Sequence, residues 1–198
     1  MAKLSVPVSV DTCRSEPARA ALESGARVLN DVHGLCDRAL ARLAAEHEVG
    51  IIAMAFPESE RAKRDADRGP VATTRALLAA CLERARGAGI PHERVVLDPG
   101  IGFFREAALS WDERDVTVLG GLRQLLDLGR PLAVGVSRKS FIGAITGRAA
   151  TADRLAGSLA ATALAVANGA ALMRTHDVAE TVDAVRVAER IAKASGDA

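Results

Sequence analysis

Five short segments end in residues able to do chemistry. Val6 to Asp11 (VPVSVD) closes on a carboxylate, Arg27 to Asp31 (RVLND) on an amide and a carboxylate, and Arg94 to Asp98 (RVVLD) on a carboxylate. Pro131 to Val136 runs into Ser137, Arg138 and Lys139. Ala170 to Arg174 ends on a guanidinium, with His176 two residues beyond. Asp11, Asn30 and Asp98 can accept hydrogen bonds from a planar, guanidine-like donor edge, whereas Lys139, Arg174 and His176 suit an acceptor edge or an anion. Asp177 stands where it would cap the last helix, and the amides of such a helix start favour phosphate. These groups together suit a heterocycle carrying a phosphate group. A lone Asp at a strand end is most often a turn former or cap. Five of six strands ending in this way point to a shared rim.

The elements that must position these groups alternate along the chain. Short β-rich runs at 6–11, 27–31, 50–55, 94–98, 131–136 and 170–174 are separated by alanine-rich stretches with helical spacing. Expected helices run from Ser15, as N-cap, to Ser24, from Asp37 to Glu46, and from Val71 to Arg86, where Leu77, Leu78, Cys81 and Leu82 recur at i, i+4. Further helices are expected from about Asp115 to near Gly129, from Ala152 to Asn168 and from Asp177 to Lys193, with Ser137 to Arg148 as a loop. Gly50 to Ala55 (GIIAMA) is nearly continuous in apolar residues, as in a strand buried on both faces. Strand–helix alternation of this kind implies an α/β fold with a parallel sheet, either open and doubly wound or a barrel. Six units of about 33 residues match the ~31 residues per unit of a (β/α)8 barrel, but are too few to close one. In either architecture the C-terminal strand ends form the active-site rim.

Composition bounds the reading. The chain has 198 residues, 49% of them hydrophobic, 26% charged and 3% aromatic, which fits a single globular domain with an aliphatic core. A formal net charge of +1 provides no global field for nucleic acid or membrane surfaces. The N-terminus lacks the apolar core of a secretory signal, and no run reaches a membrane-spanning length. Cys13, Cys36 and Cys81 show no CxxC spacing, so free thiols and a cytoplasmic location are expected. His33, His47 and His92 show no metal-ligand spacing, and Phe56 to Pro70, with eight charged residues in fifteen, reads as a solvated loop. The glycines of DPGIGF lack GxGxxG spacing and read as a turn.

Five segments, in order, resemble dihydropteroate synthase of the folate pathway: VSVDT (Val8 to Thr12), LNDVHG (Leu29 to Gly34), LDPGIGF (Leu97 to Phe103), GVSRKSFIG (Gly135 to Gly143) and RLAGSLA…MRTHDV (Arg154 to Val178). The resemblance runs from about Val6 to Arg190. It implies a (β/α)8 TIM-barrel fold, incomplete here with about six βα units. It also implies a transferase that joins 6-hydroxymethyl-7,8-dihydropterin pyrophosphate to 4-aminobenzoate and releases pyrophosphate. By similarity, Asp11, Asn30, Val32, Met54 and Asp98 line the pterin pocket, with Asp98 taking the 2-amino and N3 protons. Lys139 contacts ring acceptors, Arg174 lies along the pterin near the leaving group, and His176 helps bind pyrophosphate. Phe103 and Ser137 resemble contacts to 4-aminobenzoate. The resemblance thus gives Asp98, Lys139 and Arg174 the catalytic roles, with Lys139 as a cationic donor.

The departures from the family pattern are specific. The chain opens at the family's third strand. The TPDSF-type loop that helps hold Mg2+ and the GGESTRPG-type loop that binds pyrophosphate do not occur in it. Mg2+ is therefore a family expectation without its usual ligand loop, and no metal ligand is assigned. Phe104 stands where the family has Gly or Ala, Arg105 for a Lys, Ala53 where a His is usual, and MAFP (Met54 to Pro57) for an MQG-type loop. These departures lead to the expectation of a homodimer, or of a complex with a chain supplying two βα units. The alternative function is a non-catalytic pterin-binding fragment or accessory subunit of a split enzyme. A pterin-dependent methyltransferase on the same barrel and a Schiff-base lyase using Lys139 are further alternatives.

Overall fold

A computed structural model describes residues 4–56, 68–104 and 110–194. Most of the segment from Phe56 to Pro70, and Arg105, lie outside the described residues. The fold is α/β, of the (β/α)8-barrel class, with six strands following one another in the sheet in chain order. The chain divides into two compact units, one made of residues 1–68, 72–99 and 128–131, the other of residues 69–71, 100–127 and 132–198.

The first unit holds β1 (Ser9–Asp11), β2 (Val28–Asp31), β3 (Gly50–Met54) and β4 (Val95–Asp98), paired in parallel. Its helices are α1 (Ser15–Glu23), α2 (Arg38–Glu46) and most of α3 (Pro70–Gly87). Side chains alternate across a strand with a period of two, so register decides which residues share a face. Leu29, Asp31, Ile51, Ala53, Val95 and Leu97 occupy one face and are almost completely buried. The apolar stripes of the helices, including Ala18, Leu22, Leu40, Leu43, Leu77, Leu78 and Cys81, are buried as well. Asn30, Ile52, Met54, Val96 and Asp98 share the opposite face.

The second unit pairs β5 (Leu132–Val134) with β6 (Ala170–Met173), again in parallel, and carries α4 (Trp111–Gly120), α5 (Ser140–Thr146), α6 (Leu155–Ala167) and α7 (Val178–Ala194). Phe104, Val118, Leu122, Leu125, Leu132, Val134 and Phe141 form its buried core.

Several expected boundaries move. β1 starts at Ser9, because Pro7 has no N–H to donate to a ladder. Arg14, with extended backbone, is the N-cap of α1 in place of Ser15 and makes no side-chain capping bond. Asp37, by contrast, caps α2 as its type suggests, accepting from the amides of Ala39 and Leu40. The expected 115–129 helix begins earlier, at Trp111, ends at Gly120, and gives way to a 3-10 helix over Leu122–Leu128. The expected loop from Ser137 to Arg148 contains α5, and the 152–168 helix opens as a 3-10 turn over Thr151–Arg154.

Candidate active site

In the first unit the site residues sit on two levels of one sheet face. Asp11 and Asn30 are register partners on neighbouring strands, and the Asn30 side-chain amide donates to Asp11 Oδ2 at 3.0 Å. That bond orients the side-chain amide of Asn30, a residue only 6% exposed. Two residues further along the strands, Met54 and Asp98 are register partners, and the Ala55 amide donates to the Asp98 carbonyl at 2.8 Å. Met54 is buried and Asp98 half-buried. A carboxylate, an amide and a thioether on one face offer hydrogen-bonding acceptors beside an apolar, polarisable wall.

Asp31 has a different task. It lies on the helix-facing side, fully buried, and its two carboxylate oxygens accept from the amides of His33 at 2.9 Å and Leu35 at 2.7 Å. It therefore builds the turn that carries half-buried Val32. Gly34 in this turn has φ +59, and a Cβ there would lie 2.5 Å from the Met54 carbonyl oxygen and 2.8 Å from Cys81 Sγ. The Gly34 carbonyl accepts from Arg84 Nε at 2.7 Å, fixing the turn to α3.

In the second unit the loops after β5 and β6 are joined by side chains. Ser137 Oγ lies 2.9 Å from His176 Nδ1, and also accepts the His176 amide at 3.3 Å. Arg138 grips Asp177 through both Nε and Nη2. Hydrogen bonding from Arg138 holds the Asp177 carboxyl below its ordinary range, against the opposing effect of desolvation and with the Arg138 charge adding to it. Arg138 itself has φ +56, a left-handed conformation uncommon for a side chain of its size. Four bonds hold it there. Its amide donates to Ser158 Oγ at 2.8 Å, its carbonyl accepts from Arg154 Nη1 at 3.1 Å, and its guanidinium is held by Asp177. The strained residue sets the direction of its neighbours Ser137 and Lys139. Arg174 is exposed at the end of β6, its amide bonded to the Val134 carbonyl at 2.9 Å. Lys139 Nζ lies 4.4 Å from the centre of the Phe103 ring, a cation over an aromatic face, and Phe103 is 45% exposed.

Asp11, Asn30, Val32, Met54 and Asp98 thus belong to the first unit, and Phe103, Ser137, Lys139, Arg174 and His176 to the second. Asp177, expected as a helix cap, has its carboxylate engaged by Arg138. The sequence reading missed the structural roles of Arg138, Ser158, Arg114 and Asp115. The first two lie within the SRKSFIG and RLAGSLA segments, so their signal was present. Arg114 and Asp115 sit in a charged run, WDERD, that resembles a solvated helix face. Among the described residues no group of three or more His, Cys, Asp or Glu side chains is placed to hold a metal ion. No Mg2+ ligand is assigned among them. Among the described residues no helix is long and apolar enough to cross a membrane.

A profile of the family described as pterin binding enzyme matches residues 1–176. The chain is 36% identical over 192 residues to the dihydropteroate synthase of Synechocystis, covering 96% of this chain and 65% of that protein. It is 37% identical over 196 residues to the Mycobacterium leprae enzyme, covering 94% and 67%. Among solved structures, Xanthomonas albilineans dihydropteroate synthase with 4-aminobenzoic acid superposes with a TM-score of 0.85 at 38% identity, covering 96% of this chain and 66% of that one. The chain spans about two thirds of the length of these relatives. Sequence and fold agree: this chain belongs to the pterin-binding enzymes, in the dihydropteroate synthase family.

Proposed function

We propose that this chain forms a pterin-binding domain of a dihydropteroate synthase, a cytoplasmic transferase. The reaction condenses 6-hydroxymethyl-7,8-dihydropterin pyrophosphate with 4-aminobenzoate to give dihydropteroate. The observation that supports this reading best is the shared face of Asn30, Met54 and Asp98, with Asn30 oriented by Asp11. A pterin presents adjacent N–H donors on one ring edge, and Asp98 is the acceptor of matching charge. As the carbon–oxygen bond to pyrophosphate breaks, positive charge spreads over the ring and its methylene. A half-buried carboxylate stabilises that charge more than it stabilises the ground state. The arylamine nitrogen then forms the new bond to the methylene and loses a proton, and pyrophosphate departs with the electron pair of the broken bond. In this reading Lys139 donates to ring acceptors, Arg174 and His176 bind the leaving group, and Phe103 and Ser137 contact 4-aminobenzoate. No step is routed through a metal.

The test is direct binding. Removing one partner of a charge-assisted pair typically costs about 2–5 kcal/mol, so Asp98→Asn should weaken pterin binding roughly 30-fold or more in calorimetry. Equal affinity in wild type and variant would overturn the assignment.

A further inference from the structure

The turn after β4 is held by a buried pair that the proposed chemistry does not use. The Gly102 amide donates to Asp115 Oδ1 at 2.9 Å, reaching from the turn to α4. Asp115 and its neighbour Arg114 are each 1% exposed, and Arg114 Nη1 lies 3.8 Å from Asp115 Oδ1. The Arg114 guanidinium lies 3.3 Å from the centre of the Phe104 ring, itself completely buried. Phe104 and Arg114 thus form a stacked floor, and Asp115 reaches from it to the Gly102 peptide.

That peptide touches Lys139. Gly102 has φ +82, and a Cβ at this position would lie 2.9 Å from Lys139 Cδ and 3.2 Å from its Nζ. The lysine side chain therefore runs against the bare Cα of Gly102 and carries its amine over the Phe103 ring. A change in the Gly102 peptide would displace both Lys139 and Phe103, because one contacts that glycine and the other follows it in the chain.

We propose that Asp115 is a positioning residue for Lys139 and Phe103, acting through the Gly102 peptide and itself held by Arg114 on Phe104. A carboxylate serves this purpose better than a neutral acceptor. It makes a charge-assisted bond to the amide and balances a guanidinium enclosed in the same core. The catalytic consequence rests on the reading of Lys139 and Phe103 as substrate contacts. The positional consequence does not.

The experiment separates the two. Lysines of the folded chain are acetylated briefly with an N-hydroxysuccinimide ester, and the ratio of label at Lys139 to label at Lys193 is read by peptide mass spectrometry. Asp115→Ala should change this ratio about threefold, as local packing around one amine is lost while Lys193 is untouched. Asp115→Asn, which keeps an oxygen facing Gly102, should restore most of the difference. Affinity for 4-aminobenzoate should fall about 10-fold or more in Asp115→Ala, the scale expected of a misplaced contact. It should fall no further when Lys139→Ala and Phe103→Ala are already present. If circular dichroism shows Asp115→Ala unfolded, Asp115→Glu takes its place, since one extra methylene moves the carboxylate off Gly102 while retaining the charge beside Arg114. An unchanged labelling ratio in the folded variant would overturn the proposal. A shifted ratio in Asp115→Ala, together with a wild type that does not bind 4-aminobenzoate, would leave the positioning role intact and count against the proposed function.

Discussion

Gly34→Ala is the substitution whose effect the structure specifies most closely. Two costs coincide at this position. Alanine at φ +59 sits in the left-handed region, disfavoured by roughly 1–2 kcal/mol for a residue with a Cβ. The added methyl would also lie 2.5 Å from the Met54 carbonyl oxygen and 2.8 Å from Cys81 Sγ. The sulfur can rotate away only by giving up its contact with the Met54 carbonyl at 3.5 Å and with Arg84 Nη2 at 3.5 Å. The carbonyl is main chain of β3, so it can yield only if the strand moves. Overpacking of this kind costs about 1–3 kcal/mol. The two contributions together give about 2–5 kcal/mol, against a total stability of roughly 5–15 kcal/mol for a typical domain. Urea unfolding followed by far-ultraviolet circular dichroism reads the difference as a lower midpoint at unchanged slope. Gly87→Ala is the internal control, because nothing lies within 4 Å of a Cβ there. It should leave stability within about 0.5 kcal/mol or raise it slightly. If the two variants unfold at the same denaturant concentration, the close approach of the Gly34 turn to β3 is wrong.

Two further outcomes follow from groups already placed. Asp177 has its carboxyl held below the ordinary value of 3.8 by Arg138, so the pair stabilises the folded chain above that value and is lost as the pH falls through the lower, folded one. The stability difference between wild type and Asp177→Asn should therefore be flat from pH 5 to pH 8 (roughly the range above the carboxylate pKa) and shrink in acid. A difference that grows on acidification would contradict the pairing. Cys36 is exposed and Cys81 buried, so a thiol reagent should modify Cys36 in the folded chain and reach Cys81 only on unfolding. Equal rates for the two would contradict the packing of α3.

The sequence was most legible where a single physical signal acted alone. GIIAM reads as a strand because an apolar, β-branched run between polar segments has one good home, and it forms β3. The helix expected from Asp37 to Glu46 forms at those bounds, with Asp37 as its cap accepting from two free amides at the start of α2. The seven-residue helix α5 has no such signal, since SFIGAIT is too short and too rich in Gly and β-branched residues to show a helical period. In the first unit strand period alone puts Asn30, Met54 and Asp98 on one face, as the register of β2, β3 and β4 shows. Arg114 and Asp115 were not legible, since in the sequence their charges look solvated. Only the packing of Phe104 over the guanidinium reveals that both are enclosed.

The register of β3 against β4 also constrains how the chain can vary by insertion and deletion. Met54 shares a sheet face with Asn30 and Asp98 only because it is two residues beyond Ile52 and level with Asp98. Deleting one residue from Gly50–Met54 would turn Met54 toward the helices and put an alanine, Ala53 or Ala55, in its place. Deleting two would keep the faces but remove the pairing with β4 at one end of the ladder. Length changes in the charged stretch between Phe56 and Pro70 leave this two-residue lattice intact. Variation in chain length among proteins sharing this site should therefore concentrate between strands, and any strand that changes length should do so in steps of two.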